Sequence, residues 1–287
     1  MKFKLGHYRH LEPWLRFASL PFVTPISRPL IMGIVNVTPD SFFATARTQE
    51  ADVAIERGQL LFEQGADIVD VGGESTRPGA TPVDEATELA RVLPVVRALS
   101  TLGRVSIDTT KRTVAEASVE AGATLVNDVS GTLARCAGEA GVGWVAMHAQ
   151  GTPQTMQENP YYDDVVAEVE AWFQVKAEEA HGAGVNELWL DPGIGFGKTA
   201  EHNWTLLRHC DELAVCAENL GATLLVGTSR KGFLGDASGG SDVDDRLPAS
   251  LATALVAMET GAGMVRVHDV KESVQAARVM FEMVKAS

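Results

Sequence analysis

The chain has 287 residues, of which 45% are hydrophobic and 22% charged, so it is long enough to bury the core of one large domain. Thirty-eight acidic residues against 24 basic ones give a formal net charge of −14, which argues against nucleic acid and anionic membranes as partners. A small anionic substrate remains compatible with this charge if its pocket is locally basic.

The cysteines and the N-terminal sequence indicate where in the cell the protein is located. Three scattered cysteines, Cys136, Cys210 and Cys216, are too few for a disulfide framework, and no CxxC pair suggests zinc. We expect them to be small buried hydrophobic residues. Near the N-terminus, His, Arg, Glu and Pro interrupt every apolar run before it reaches the length of a signal or membrane segment. We therefore expect a cytoplasmic protein.

Short apolar runs alternate with longer stretches of helical periodicity along the chain. The predicted strands are 30–35, 68–71, 105–107, 125–126, 144–147, 188–190, 224–226 and 264–267. Strands that alternate with helices in one domain predict a single-domain α/β fold, a (β/α)8 TIM barrel, with a doubly wound open sheet as the alternative. Residues 1–29, rich in aromatic side chains and proline, are predicted to pack across the base of a barrel formed by residues 30–287.

Two crossover helices have readable ends. After the second strand, Thr81 precedes Pro82, which is predicted to be the first helical residue, with Asp84 and Glu85 in the first turn. After the third strand, Val114, Ala117, Ser118 and Ala121 share one helix face, and Gly122 stands where a C′ glycine is expected.

Polar residues follow every predicted strand. Taken alone, Asp108 before Thr109 suits a helix cap, because Asp, Asn, Gly and Pro favour caps and turns on local grounds. Caps do not explain why Lys231, Arg266 and His268 also stand at strand ends. Since the loops after the strands form the catalytic face of a barrel, we predict a site there for a ligand that has hydrogen-bond donors and negative charge.

The glycine-rich segment 193–199, GIGFGKT, is similar to a nucleotide-binding loop but does not match one. A P-loop needs glycine at the position of Pro192, and the third glycine of a dinucleotide fingerprint would fall at Lys198. We interpret its glycines as residues that let the backbone turn tightly after the sixth strand.

Eight segments in order resemble one family. They are MGIVNVTPDSF from Met32, VDVGGESTRPGA from Val69, VSIDTTK from Val105, LVNDVSG from Leu125, MHAQGTPQTMQ from Met147, LDPGIGFGKT from Leu190, SRKGFLG from Ser229 and RVHDV from Arg266. Together they are similar to the dihydropteroate synthases, from about residue 30 to the C-terminus.

The resemblance implies a transferase of folate biosynthesis that joins 6-hydroxymethyl-7,8-dihydropterin pyrophosphate to 4-aminobenzoate and releases pyrophosphate. It also implies a cytoplasmic homodimer that is a target of sulfonamides. By this resemblance, the pterin would contact Asp108, Asn127, Met147, Asp191 and Lys231. The residue types suit it, because a carboxylate can accept two parallel hydrogen bonds from an aminopyrimidine edge while a lysine donates to its carbonyl.

The other two groups of residues come from the same resemblance. Pyrophosphate would be held by Asn36, Thr76, Arg266 and His268, with Mg²⁺ at Asn36. Of these, Arg266, His268 and the metal would supply the positive charge that a departing anion needs. Aminobenzoate would contact Arg77, Pro78, Phe196 and Ser229, and its own amine would be the nucleophile. The residues implied in catalysis are Lys231, Arg266, His268 and Asp108.

The first loop departs from the family. Its members usually read SFSDGG where this chain has Phe43, Ala44, Thr45 and Ala46 after Ser41-Phe42. A loop carboxylate and two glycines are thus replaced. A pterin-binding paralogue with weak or no synthase activity is therefore an alternative. A methyltransferase that binds a reduced folate is another, although no cobalamin-binding partner domain is visible.

Overall fold

The computed structural model describes residues 28–37, 46–75, 79–152 and 154–285 of the chain. Each predicted strand lies within an observed one, so the strand predictions are confirmed. The strands are β1 (Leu30–Asn36), β2 (Ile68–Gly72), β3 (Arg104–Asp108), β4 (Leu125–Asp128), β5 (Gly143–Met147), β6 (Leu188–Asp191), β7 (Thr223–Val226) and β8 (Met264–Val267).

Helices follow the strands throughout the described residues. They are α1 (Ala46–Glu63), α2 (Glu85–Leu99), α3 (Arg112–Glu120), α4 (Ala134–Ala140), α5 (Val165–Ala183), α6 (Ala200–Arg208), α7 (Cys210–Asn219), α8 (Gly232–Ala237), α9 (Leu247–Glu259) and α10 (Val270–Lys285). Two helices follow β6 and two follow β7, the second pair joined by a short 3-10 helix at Val243–Asp245.

The strands form a closed parallel barrel in chain order. Each strand pairs with the next, and β8 returns to β1 with Met264 opposite Leu30. The predicted (β/α)8 barrel is confirmed, and the open-sheet alternative is wrong, because pairing β8 with β1 leaves neither strand at a sheet edge.

Alternation along the strands divides the side chains between two cores. Val69 and Val71 of β2 belong to the large core between the barrel wall and the helices. Ile68 belongs to a second cluster made of strand residues alone, so the side chains in phase with it point into the barrel. We call the buried cluster the apolar layer: Met32, Ile68, Leu125, Val145, Trp189, Leu225 and Met264.

The predicted start of α2 is wrong. Pro82 precedes the helix, which begins at Glu85. The reason is a stronger cap than Thr81 offers: the Asp84 carboxylate accepts a hydrogen bond from the Thr87 backbone N–H at 2.8 Å and is the N-cap.

The predicted end of α3 is confirmed. Gly122 has a φ of 113°, in the region that favours glycine, and Val114 and Ser118 on the predicted face are fully buried. The helix begins at Arg112, with Lys111 at the N-cap position. Asp108 therefore does not cap it, and the cap interpretation of this residue is wrong.

Three remaining expectations concern the surroundings of the barrel. Cys136 and Cys210 are buried, Cys216 is partly buried, and all three are free thiols. No helix of the described part of the chain is long and apolar enough to cross a membrane. The predicted packing of residues 1–29 across the base falls, up to residue 27, outside the described residues and stays a prediction. Arg28 pairs with Asp67 at 2.6 Å, just before β2.

Candidate active site

Polar side chains replace the apolar ones toward the carboxyl ends of the strands. By strand alternation they point into the barrel above the apolar layer. Asp108 and Asn127 are paired in register at the ends of β3 and β4, and Asp191 is paired with Met147 across β6 and β5. We call the following side chains the polar layer: Asp70, Asp108, Asn127, Asp191 and Arg266.

Arg266 joins two carboxylates in this layer. Its Nε donates to Asp70 Oδ2 at 2.7 Å, and its Nη2 donates to Asp108 Oδ2 at 2.6 Å. Asn127 Nδ2 donates to the same Asp70 oxygen at 2.9 Å. The structure thus brings three predicted site residues, Asp108, Asn127 and Arg266, into one hydrogen-bonded network.

Asp70 is the member that the sequence analysis missed. It lies between Val69 and Val71 in an otherwise apolar strand. It is fully buried, and its Oδ1 has no hydrogen-bond partner among the described residues. A signal existed: Asp70 is in phase with Ile68 and therefore faces the barrel interior, where an unpaired carboxylate is costly.

The charges of this network are unequal, with two carboxylates for one guanidinium. Burial raises the pKa of Asp108 to about 7, against the lowering effect of Arg266. Burial alone would lower the pKa of Arg266, but Asp70 and Asp108 raise it. Arg266 therefore stays charged while Asp108 can exchange a proton near neutral pH, which suits contact with a ligand group that donates hydrogen bonds.

Asp191 and Lys231 form a second part of the site. Asp191 Oδ1 accepts from the Gly193 backbone N–H at 2.7 Å, and burial raises the pKa of this carboxyl while Lys231 opposes the shift. Lys231 donates to Ile194 O, and its Nζ lies 4.6 Å from the centre of the Phe196 ring. Burial lowers the pKa of Lys231 to about 8, against the effect of Asp191.

Ser229 and His268 are adjacent in space although they follow different strands. Ser229 Oγ lies 3.0 Å from His268 Nδ1 and accepts from the His268 backbone N–H at 3.1 Å. This contact joins a predicted aminobenzoate residue to a predicted pyrophosphate residue. Asn36, at the end of β1, is exposed and pairs in register with Gly72.

Three predicted site residues, Thr76, Arg77 and Pro78, lie outside the described residues, as does the first loop from residue 38 to residue 45. Their predicted roles stay predictions.

A buried ionic cluster behind Asp108 was also missed. Glu88 of α2 is fully buried, and Lys111 Nζ donates to it at 2.5 Å and to Glu74 as well. Burial alone would lower the pKa of Lys111, but these two hydrogen bonds raise it. The signal in the sequence was a glutamate in helical phase with Val92 and Val95 on an otherwise apolar face.

A cavity of about 300 Å³ opens beside this cluster. Glu74, Glu88, Asp108 and Phe196 line it together with residues of the loops after β3, β4 and β5. Asp108 is the member of the polar layer that lines it. A wider depression of about 490 Å³ lies on the outer face of α10 and is lined by that helix alone, away from the strand ends.

The segment 193–199 turns as expected. Gly193, Gly195 and Gly197 all have positive φ, at 66°, 84° and 61°. A side chain at Gly193 would collide with His148 O and one at Gly197 with Gln150 O. The glycines therefore allow the turn to pack directly on the loop after β5, and the interpretation of a tight turn is confirmed.

Comparisons with known proteins agree with the geometry. Residues 32–268 match the family model of the pterin binding enzymes. Dihydropteroate synthase of Escherichia coli K12 is 44% identical over 264 residues, covering 89% of this chain and 92% of that protein. A Yersinia pestis dihydropteroate synthase solved with a sulfonamide drug complex is 40% identical, with a TM-score of 0.83 over 93% of this chain and 99% of that one.

A dihydropteroate synthase of Xanthomonas albilineans, solved with 4-aminobenzoic acid, is 40% identical, with a TM-score of 0.82 over 91% of this chain and 94% of that one. The polar layer thus occurs in a chain whose sequence and fold match such enzymes along most of their length. The chain belongs to the pterin-binding enzyme family, whose dihydropteroate synthases it resembles in sequence and in fold.

Proposed function

We propose that the chain is a dihydropteroate synthase, a transferase that condenses 6-hydroxymethyl-7,8-dihydropterin pyrophosphate with 4-aminobenzoate. The observation that carries the proposal is the polar layer beside Lys231, which combines buried carboxylates with two partly buried cations, Arg266 and Lys231, at the carboxyl ends of the strands. The similarity to enzymes solved with 4-aminobenzoic acid and with a sulfonamide drug supports it. By the same similarity, we propose that sulfonamides bind this chain.

The pterin ring binds between the two parts of the site, the hydrogen-bonded network around Arg266 and the pair Asp191 and Lys231. Asp191 accepts hydrogen bonds from the aminopyrimidine edge, and Lys231 donates to the carbonyl and a ring nitrogen. Asn127 and Asp108 contact the opposite edge, and Met147 packs against the ring face. Burial makes this recognition selective, because a ligand that lacks a matching hydrogen-bond group would leave a charged side chain of the pocket without a partner and shielded from water.

Pyrophosphate binds at the β1 and β8 side of the mouth, at Asn36, Thr76, Arg266 and His268. Arg266 uses Nε and Nη2 for Asp70 and Asp108, so Nη1 remains to contact the leaving group. The Asn36 amide oxygen is exposed and suits one position of a Mg²⁺ ion that takes its other ligands from phosphate and water. When bound, Mg²⁺ would neutralise charge on the leaving pyrophosphate.

In the reaction, the aminobenzoate amine forms a bond to the pterin methylene carbon. The carbon–oxygen bond breaks, its electron pair leaves with pyrophosphate, and the amine nitrogen loses a proton. Arg77, Pro78, Phe196 and Ser229 position the aminobenzoate, and no protein nucleophile is required. Arg266 and His268 stabilise the charge that develops on the leaving group, and orientation supplies much of the rate.

A product assay tests this function. The protein is incubated with the pterin pyrophosphate, 4-aminobenzoate and Mg²⁺, and dihydropteroate and pyrophosphate are quantified. Equal amounts of both are expected, with turnover abolished by chelation of Mg²⁺. A folded preparation that forms no dihydropteroate above background would contradict the proposal.

The loop substitution at Ala44 favours one alternative, a pterin-binding paralogue with weak or no synthase activity. Calorimetry with the pterin pyrophosphate, run beside the product assay, separates the two. Tight binding without turnover, with turnover gained in Ala44→Asp, would establish the alternative. Comparable turnover in the wild type and in Ala44→Asp would exclude it.

We further propose that the enzyme is a cytoplasmic homodimer with small-molecule substrates, without nucleic-acid or membrane partners. The family resemblance supports the dimer, and the net charge of −14 opposes binding to polyanions. Light scattering measures the mass in solution, and a monomer at micromolar concentration would contradict the dimer.

A further inference from the structure

Lys198 is a buried cation that the proposed reaction does not use. It is 2% exposed, and its hydrogen-bond partners are neutral. Its Nζ donates to Phe196 O at 3.1 Å and lies 2.9 Å from His148 Nδ1 and 3.5 Å from His148 O. An ammonium group has three N–H donors, so these contacts can occupy all of them.

These contacts connect two loops of the catalytic face. Lys198 and Phe196 belong to the turn 193–199 after β6, and His148 begins the loop after β5. The Tyr162 hydroxyl adds a second link, donating to Gly197 O at 2.9 Å. Lys198 Nζ also lies 5.7 Å from the centre of the Tyr162 ring. The turn is thus held to the segment after β5 by the side chains of Lys198 and Tyr162.

The turn carries groups that face the substrates. Its backbone N–H groups are engaged one after another: Gly193 donates to Asp191 Oδ1 at 2.7 Å and Phe196 donates to Gly193 O at 3.0 Å. The Phe196 ring lies over Lys231, whose Nζ also donates to the turn at Ile194 O. Any shift of the turn would therefore move the aromatic wall of the aminobenzoate subsite.

The pKa of Lys198 is set by burial and by the charged residues around it. Burial lowers the pKa of Lys198 to about 7, with Asp191 opposing this shift and Lys231 adding to it. Burial and the charge of Lys198 lower the pKa of His148 to about 3, so the imidazole is neutral and accepts from the ammonium. Tyr162, which is also buried, has a pKa raised to about 12 by burial and stays neutral.

We propose that Lys198 is a positioning residue whose ammonium ties the turn 193–199 to the loop after β5 and thereby holds Phe196 against the 4-aminobenzoate subsite. The identity of this substrate rests on the proposed function, whereas the tie between the two loops does not. Loss of the ammonium should loosen the turn and weaken 4-aminobenzoate binding more than pterin binding.

Hydrogen exchange tests the tie without any substrate. Methionine is unbranched, like lysine, but has no hydrogen-bond donor. In Lys198→Met we therefore expect exchange of the Gly193, Gly195 and Phe196 amides to become at least tenfold faster. The Thr109 amide, which donates to Asn127 O on another part of the barrel, serves as the internal reference and should not change. Lys176→Met is the matched control, because it removes an ammonium from α5, where Lys176 pairs with Glu179.

Steady-state kinetics test the consequence for substrate binding. We expect Lys198→Met to raise KM for 4-aminobenzoate at least fivefold, with kcat and the KM of the pterin pyrophosphate within about twofold. Lys198→Gln keeps an N–H donor without the charge and should recover part of the loss. It also serves if Lys198→Met does not fold. Lys176→Met should match the wild type.

The pH dependence adds a readout that a packing role would not give. Because the ammonium is lost as pH rises through about 7, the difference in KM between the wild type and Lys198→Met should be largest near pH 6 and shrink toward pH 9. His148, Tyr162, Asp191 and Lys231 are the titratable groups around the ammonium. Because the pKa of His148 is about 3 and that of Tyr162 about 12, both stay neutral between pH 6 and 9, whereas the pKa of Lys231 is about 8. A change in the KM ratio centred near pH 7 is therefore assigned to Lys198, and one centred near pH 8 to Lys231.

Unchanged amide exchange in a folded Lys198→Met would overturn the inference. So would equal effects on both KM values and kcat, or faster exchange throughout the barrel, since either would indicate a general loss of structure. If the wild type forms no dihydropteroate, the proposed function fails, and the exchange experiment still decides whether Lys198 ties the two loops.

Discussion

The barrel interior contains two layers of side chains from the same strands, one apolar and one polar. The apolar layer holds buried aliphatic side chains, two methionines and one tryptophan, whereas the polar layer, two residues further along the strands, holds Asp70, Asp108, Asn127, Asp191 and Arg266. In the first layer, burial stabilises the fold. In the second, burial costs free energy unless each charge has a partner, and the raised pKa of Asp108 is the sign of that cost.

This difference predicts which substitutions affect stability and which affect catalysis. Substitutions in the apolar layer should lower the free energy of unfolding and leave the affinity for substrates unchanged. Substitutions in the polar layer should change catalysis, and the sign of their effect on stability should depend on which charge is left unpaired.

The largest effect is expected for Arg266→Ala. This change leaves Asp70 and Asp108 buried without their shared cation, which should lower the free energy of unfolding by about 3–5 kcal/mol. It should also lower kcat/KM more than tenfold, or about 1.4 kcal/mol, because in the proposed reaction the guanidinium stabilises the leaving group. Denaturant unfolding and product formation measure the two losses. Arg112→Ala, at an exposed ion pair, is the control. Near-wild-type kinetics in Arg266→Ala would contradict the assigned site.

The next effect concerns the apolar layer. Leu125→Ala removes a fully buried side chain from the barrel interior and should cost about 2–5 kcal/mol of folding free energy, because the closed wall cannot collapse into the cavity. Both KM values should remain within about twofold in protein that is still folded. Leu102→Ala, at a residue 54% exposed, should leave the unfolding midpoint unchanged. A strong change in KM in Leu125→Ala without a loss of stability would contradict the division between a stabilising apolar layer and a functional polar layer.

Lys231→Met tests, through the pH dependence of catalysis, the cation that lies beside the polar layer. The variant should lose more than tenfold in kcat/KM, or about 1.4 kcal/mol, because a charged hydrogen bond to the pterin is removed. The pKa of Lys231 is lowered to about 8, so its charge is present below that pH and is lost above it. In the wild type, kcat/KM should therefore fall as pH rises through about 8, and this part of the profile should be missing in the variant. A profile of unchanged shape in Lys231→Met would assign that limb to another group.

The smallest effect lies outside both layers. The Asp164 carboxylate caps α5 by accepting from the Val166 and Ala167 backbone N–H groups at 3.0 and 3.1 Å. Asp164→Ala should cost about 1 kcal/mol of folding free energy and leave catalysis unchanged. Glu178→Ala on the exposed face of the same helix is the control. A change in either KM would show that α5 transmits strain to the site.

Much of this protein follows from the sequence alone. The order of strands and helices, and the polar residues after each strand, were predictable because side-chain alternation, glycine turns and helix periodicity are local properties. The closed barrel followed from the number and order of these elements. Even the tight turn at residues 193–199 was readable from its glycines. The start of α2 was not, because Thr81 and Asp84 both suit a cap and the difference depends on the backbone geometry at Asp84.

Tertiary structure alone decided which polar groups meet. Arg266 and Asp70 are 196 residues apart, and no local pattern distinguishes Asp70 from the valines beside it. Glu88 and Lys111, and Lys198 and His148, likewise pair through the closure of the barrel. Local sequence preferences are set by neighbours along the chain, whereas the cost of a buried charge depends on partners brought close by the fold. That is why the sequence located the site at the strand ends but did not reveal the ionic contacts that hold its residues in place.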